Sequence, residues 1–354
     1  MLDYKGQMDE LIATVIKEGA SDLHLSSGRN PTIRVSGNLI PLVNYPKLTP
    51  VDTKGLLFSL LAKENQERFT EQKELDFSYA AGSQARFRGN AFLQQGQVGV
   101  ALRLIPTDIS TIEQLNLPPV LADIARKEQG FFLVVGPVGH GKSTTLAAMV
   151  NLINQERAEH IVTIEDPIEY VFPEGRSIID QREVRFDTND FHTALRSMFR
   201  EDVNVGMIGE MREPETIATA VTAAETGHLI FSTLHTNNAA QTVDRIIDSF
   251  PSEQQKQIRL QLASSLLGIF SQRLVARVSG GRIPAYELLL NNSAVSNLIR
   301  EGRTHEINVV IETGTEDGMV DMNHSLSELV RRGEVSPDTA YRYSLNPEGL
   351  QRLL

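Results

Sequence analysis

Apolar residues near the start of the chain recur at Met8, Leu11, Ile12, Val15 and Ile16, the i, i+3, i+4, i+7, i+8 spacing of one helical stripe, and Gly19 ends it. TIRV and NLIPL flank Ser36-Gly37 and read as a β-hairpin. A second helix is predicted over Val51 to Phe69. A second hairpin follows in ARFRGNAFLQQGQVGVALRLI, turning near Gln95-Gly96. Pro106 to Pro119 is proline-marked and poor in apolar periodicity, which places a linker at residues 108–119 between a domain of residues 1–107 and one of 120–354.

Beyond Leu121 short apolar runs alternate with helical stretches: FFLVV, IVTIE, VNVGMIG, HLIFSTL, LVARV and AYELLL. That alternation predicts an α/β domain with a parallel sheet covered by helices on both faces. Pro251 to Phe270 reads as one long helix, and short helices fill the chain from Ser293 onward. No repeat of fixed period is visible.

Composition narrows the function classes. At roughly 150 residues per domain, 354 residues suit two domains. The chain has no cysteine, which excludes disulfides, zinc ribbons, iron–sulfur clusters and thiol catalysis and fits a reducing compartment. No run approaches the roughly 18 apolar residues that span a bilayer, and MLDYKGQMDE lacks the layout of a signal peptide. A soluble, cytoplasmic protein is expected. The net charge of −11 argues against broad binding to nucleic acid, although a local basic groove would survive it.

The strongest chemical signal is the run Gly136-Pro137-Val138-Gly139-His140-Gly141-Lys142-Ser143, which has the form G-x-x-x-x-G-K-[ST]. It follows the strand FFLVV and opens the helix-compatible STTLAAMVNLI, the context this phosphate loop requires. Its glycines let backbone N–H groups, including those of Ser143 and Thr144, turn onto a phosphate at a helix N-terminus. Lys142 can reach the β- and γ-phosphates of ATP, and the Ser143 hydroxyl can ligate Mg²⁺. VNVGMIGE ends in Glu210, placed to polarise the attacking water. IVTIE ends in Glu165 and Asp166 with Glu169 close behind; site carboxylates and turn-capping residues both fit these.

HLIFSTLH puts His228 and His235 at opposite ends of one strand, and Thr236-Asn237-Asn238 opens a helix. A strand-end histidine there can sense a γ-phosphate or simply satisfy the backbone, whereas the pair is too far apart to ligate one metal. In the second hairpin, a turn at Gln95-Gly96 sets Arg88 opposite Arg103, with Arg86 on the face of Arg88. Like charges paired across strands call for an anion. Nucleotide phosphates contacted by arginine fingers would supply it, and a solvated basic face is the alternative.

In this order the motifs resemble the type II/IV secretion ATPase superfamily, and within it the PilT pilus-retraction motors. The resemblance runs through ASDLHLSSGRNPTIRVSG, ARFRGNAF, GPVGHGKSTTLA, TIEDPIEY, QREV, IGEMREPETI, TAAETGHLIFSTLHTNNAAQTVDRIID, QRL, NLIREG and IETGTEDGM. It implies a PAS-like α+β N-terminal domain and a RecA-like P-loop ATPase domain with extra C-terminal helices. It also implies a homohexamer acting on an inner-membrane platform protein, with a paralogous ATPase as a possible partner, at the inner face of the cytoplasmic membrane.

Carried onto these residues, the resemblance makes Lys142 and Ser143 the phosphate and Mg²⁺ contacts and Glu210 the catalytic carboxylate. Glu165, Asp166 and Glu169 become the acidic box, His228 and His235 the histidine box, and Arg88 and Arg103 the hairpin arginines. Pilus-extension and type II secretion ATPases typically carry a four-cysteine zinc module, so the absence of cysteine favours the retraction branch, the accessory paralogue PilU included. A poorly hydrolysing regulatory subunit and a RecA-like nucleic-acid motor are the alternatives; the second suits poorly a chain without tryptophan. Two departures bear on turnover. Asn204 replaces an expected carboxylate near the site, and Gly206 interrupts a strand of bulky aliphatics.

Overall fold

The computed structural model describes residues 3–35, 37–82, 85–105 and 108–354. Ser36 at the first hairpin turn, and Pro106 and Thr107 at the approach to the expected linker, lie outside the described residues. The chain divides into two compact units, Met1–Asp108 with Glu169–Val171, and Ile109–Ile168 with Phe172–Leu354.

The first unit begins with α1 (Tyr4–Lys17), whose Asp3 N-cap accepts from the Gly6 N–H and whose stripe of Met8, Leu11, Ile12 and Val15 is buried. Then come β1 (Asp22–Ser26), β2 (Thr32–Val35), β3 (Asn38–Pro41), α2 (Pro50–Leu60), α3 (Lys63–Gln72), β4 (Glu74–Ala81), β5 (Ala85–Gln94) and β6 (Gln97–Ile105). The strands form an antiparallel sheet in the order β3-β2-β1-β6-β5-β4. Leu23, Phe87 and Leu102 from the sheet share a core with Leu11 of α1 and Leu56 of α2. The single helix expected over Val51 to Phe69 is two. A Thr49–Asp52 capping box starts α2, Leu61 turns extended after it, and the Gln66 amide donates to the carbonyls of Phe58 and Leu61 that the break releases.

The second unit contains α4 (Val120–Ala125), β7 (Gly130–Val135), α5 (Lys142–Glu156), β8 (His160–Glu165), β9 (Ile178–Glu183), α6 (Phe191–Met198), β10 (Val205–Ile208), α7 (Pro214–Glu225), β11 (Leu229–Leu234), α8 (Ala239–Asp248), α9 (Ser252–Ser265), β12 (Leu266–Ala276) and β13 (Arg282–Leu290). Short helices from α10 (Ser293–Glu301) to Leu353 complete it. The sheet order is β13-β12-β7-β11-β10-β8-β9, parallel except for the β12–β13 hairpin at one edge. Alternate residues of each strand feed two cores: Phe131, Leu133 and Val135 on one face, Phe132 and Val134 on the other. The α/β class, the helices on both faces and the extra C-terminal helices are as the sequence predicts.

Two expectations change. Ile112 and Leu117, in the stretch expected to be linker, are buried in the core beneath α4 and α5. The long helix expected over Pro251 to Phe270 stops at Ser265, and Leu266 onward pairs with β7 as β12. A continuous apolar run buried on both faces looks alike as helix or strand until a neighbouring strand takes its backbone groups.

Candidate nucleotide site

Gly136 leaves β7 at φ 144°, and a Cβ there would stand 2.4 Å from the Gln272 carbonyl of β12. Gly141 sits at the α5 N-cap at φ 82° and offers no capping side chain, so the first N–H groups of the helix stay open to an anion. Only glycine meets both demands without strain. The Lys142 ammonium is buried, donating to the Pro137 carbonyl at 3.0 Å and lying 3.4 Å from His235 Nδ1. The loop tip, Val138, is exposed.

His140 reaches away from this cradle. Its Nδ1 accepts from the Leu274 N–H at 2.8 Å, which fixes the neutral tautomer with the proton on Nε2. Burial, then the charges of Arg273, Lys142 and Arg282, hold its pKa below the ordinary histidine value. The ring therefore ties the loop to β12 and leaves only the backbone of His140 for a phosphate.

Glu210 follows β10, two strands from β7. The Ser232 and Thr233 hydroxyls of β11 donate to the carbonyls of Ile208 and Gly209 and fix the turn that carries it. Its carboxylate pairs with Arg212 at 2.7 Å and faces His235 Nε2 at 3.5 Å. Lysine can only donate, so His235 Nδ1 accepts and Nε2 carries the proton toward Glu210. Lys142, His235 and Glu210 thus form one row across three strand ends, at the edge where α/β sheets bind ligands.

Of the other candidates, Glu165 and Asp166 flank the turn that carries Glu210: a Cβ on Gly209 would stand 3.4 Å from the Glu165 Cα. Glu165 is buried three strands from β7, roughly 14 Å at about 4.8 Å per strand, and accepts from Thr163 and Gln181. Asp166 pairs with Arg185. Glu169 falls in the first unit. His228 stands at the opposite end of β11 from His235, its Nδ1 3.0 Å from the Ala223 carbonyl and its ring against Phe199. Within this chain it does not face the phosphate loop, because six extended residues separate the two histidines.

Neither departure touches the site. Asn204 precedes β10 at the far edge of the sheet, where its side chain accepts from the His160 N–H. The concern that it removes a carboxylate from the metal environment is corrected: the strand carries Glu210 to the other edge. Gly206 lies under Met198 and Ile230, and a Cβ there would stand 3.0 Å from the Met198 sulfur. A large residue on α6 fills the space of the missing aliphatic.

In the first unit Arg88 and Arg103 are paired opposite each other, in the register the turn at Gln95-Gly96 predicts. Asp22 on β1 neighbours Arg103 in the sheet and accepts from its Nε at 2.9 Å. The anion called for by the arginine pair is thus partly supplied by the protein. The Arg88 side chain has no hydrogen-bonded or ionic partner among the described residues.

No group of three or more His, Asp or Glu among the described residues could hold a metal alone. The Ser143 hydroxyl at the start of α5 makes no hydrogen bond among them either. That donor set fits Mg²⁺ held mainly by phosphate oxygens and water, with one protein hydroxyl. A pocket of about 440 Å³ adjoins the loop at Gly141 and Thr144, bordered by Gln114, Asn116, Leu274 and Arg282. No sequence motif marks Gln114, Asn116 or Arg282, whereas Leu274 lies with Gln272 and Arg273 in the QRL run noted above.

The Type II/IV secretion system protein family matches residues 5–332. A type IV pilus retraction ATPase, PilT of Pseudomonas aeruginosa, is 43% identical over 339 residues, 96% of this chain and 98% of its own. The type IV pilus ATPase PilU of the same organism is 37% identical, over 98% of this chain and 91% of its own. The crystal structure of the pilus retraction motor PilT with bound ADP superposes with a TM-score of 0.91 at 44% identity, covering 97% of this chain and 98% of that one.

Proposed function

The chain belongs to the Type II/IV secretion system protein family, and from that premise we propose that it is an ATP-hydrolysing motor that drives type IV pilus retraction. The observation that carries the reading is the row Lys142–His235–Glu210 at the phosphate loop, in a chain similar over nearly its whole length to a retraction ATPase. Lys142 and the α5 N–H groups bind the β- and γ-phosphates. Glu210 orients and polarises the attacking water, and His235 contacts the γ-phosphate. Ser143 would hold Mg²⁺, which supplies charge neutralisation at the β- and γ-oxygens when bound.

Arg88, exposed and unpaired, and Arg103, 71% exposed beside Asp22, serve as arginine fingers of the first unit. Loss of the γ-phosphate removes the contact of His235, and release of a ligand-held contact is a switching device used by many nucleotide motors. The assembly is a homohexamer at the inner face of the cytoplasmic membrane, working on a pilus platform protein. No described helix is long and apolar enough to cross a membrane.

Deletion of the gene tests the reading. Surplus surface pili without twitching motility is the expected phenotype, and loss of pili would assign the chain to extension instead. The likeness to PilU supports a second reading, an accessory retraction ATPase. Rapid hydrolysis by the isolated protein, with restored twitching in a strain lacking its principal retraction motor, would reject that.

A further inference from the structure

The ATPase reading leaves Gln272-Arg273-Leu274 on β12 without a task. β12 runs parallel to β7, so this tripeptide lies beside the point where the phosphate loop leaves the sheet. Gln272 is buried and its amide bridges two parts of the loop region: Nε2 donates to the His140 carbonyl at 2.9 Å, and Oε1 accepts from the Thr145 hydroxyl at 2.6 Å. The Leu274 N–H adds the bond to His140 Nδ1.

Arg273 extends from the opposite face of the strand. Its Nη2 donates to both oxygens of Asn237, at 2.9 Å to Oδ1 and 3.2 Å to the carbonyl. Asn237 lies two residues beyond His235, in the turn that opens α8. Ser271 donates to the same carbonyl at 2.9 Å, and Glu287 on β13 accepts from the Ala239 N–H at 2.7 Å. Arg273 is only 5% exposed, and a guanidinium drawn out of water is costly unless its hydrogens are used and an opposite charge is near. The Asn237 oxygens take up hydrogens of Nη2 and the Glu287 carboxyl opposes the loss of charge, while burial still prevails and draws the Arg273 pKa below the ordinary arginine value. A buried arginine spent on a turn beside the γ-phosphate histidine holds that turn in one geometry.

We propose that Gln272 and Arg273 are positioning residues for ATP hydrolysis: Gln272 sets the phosphate loop against α5, and Arg273 holds the turn that aims His235. One strand then fixes the binding element and the γ-phosphate contact relative to each other. The proposal rests on the ATPase reading and extends it to residues that touch no substrate.

The two roles separate kinetically in the purified full-length chain. Gln272→Met keeps the side-chain volume and removes both bonds, so KM for ATP and Kd for ADP should rise about tenfold with kcat nearly kept, the signature of lost uniform binding. Arg273→Lys keeps the positive charge, but its shorter side chain lacks the planar guanidinium that carries Nη2 to both Asn237 oxygens. It should lower kcat about tenfold with ADP affinity nearly kept. Wild-type kinetics in both folded variants would overturn the proposal. So would parallel losses of kcat and affinity that follow a drop in melting temperature, because that is general loosening. If the wild-type chain hydrolyses no ATP, the ATPase reading fails, and the ADP titration of Gln272→Met still decides whether Gln272 shapes the loop.

Discussion

His235 Nδ1 stands 3.4 Å from the ammonium of Lys142, while the same ring turns Nε2 toward Glu210. A γ-phosphate reaching Lys142 would arrive beside this ring, which in turn faces the Glu210 carboxylate. The relation exists because β11 is inserted between β7 and β10, which places the three strand ends in one row.

Replacing Glu210 by glutamine keeps its shape but removes the charge and one of the two acceptors that face Arg212 and His235. Turnover should fall by about 10²- to 10⁴-fold, the usual contribution of a positioned general base, while nucleotide binding persists. Steady-state hydrolysis set beside fluorescent-nucleotide titration measures both. Unchanged hydrolysis would remove Glu210 from its assigned role.

Asp22 ties Arg103 to the first unit. Burial acts to raise its pKa, but hydrogen bonds from Ser21 and Arg103 and the Arg103 charge prevail and hold it below the ordinary aspartate value. A depressed folded pKa stabilises above the unfolded value, near 3.9, and that stability is lost as pH falls through the lower folded value. Asp22→Asn should therefore cost about 1 kcal/mol at pH 7. Denaturant melts repeated at pH 3 should show the gap between variant and wild type closing.

Glu287 behaves oppositely. Burial pushes its carboxyl up to about 7, although the Ala239 N–H acts to lower it. A carboxyl raised on folding contributes stability that is complete below the unfolded pKa, near 4.3, and lost as pH rises through the folded value. Stability of the second unit should decline between these limits. Glu287→Gln keeps an acceptor for Ala239 and should flatten that slope, which thermal melts across the range would reveal. An unchanged slope would place the titration elsewhere.

Gly206→Ala tests whether the glycine is a defect or a fitted piece. The new methyl would stand 2.9 Å from Ile230 Cδ1 and 3.0 Å from the Met198 sulfur, both ends of flexible chains. The cost should be about 1 kcal/mol. Met198→Val added to Gly206→Ala should return part of it, while hydrolysis stays at the wild-type rate. A gain in turnover on adding the methyl would instead mean that Gly206 impairs catalysis.

Much of the site was legible in contiguous residues. The phosphate loop and Glu210 after its strand follow from short motifs, and in the first unit the facing pair Arg88–Arg103 follows from a two-residue period. Such features are local, so the order of residues determines them: the loop lies between its strand and helix, and a hairpin turn sets its own register. Tertiary structure decided the rest. Leu266 to Phe270 became strand only because β7 accepted its backbone. Asn204 left the site because a strand separates it from Glu210. Asp22 became the counterion of Arg103 by sheet pairing across 81 positions. Gln272 reached Thr145 across 127. Contacts of that separation carry no periodic trace in the chain; the fold alone brings such partners within bonding distance.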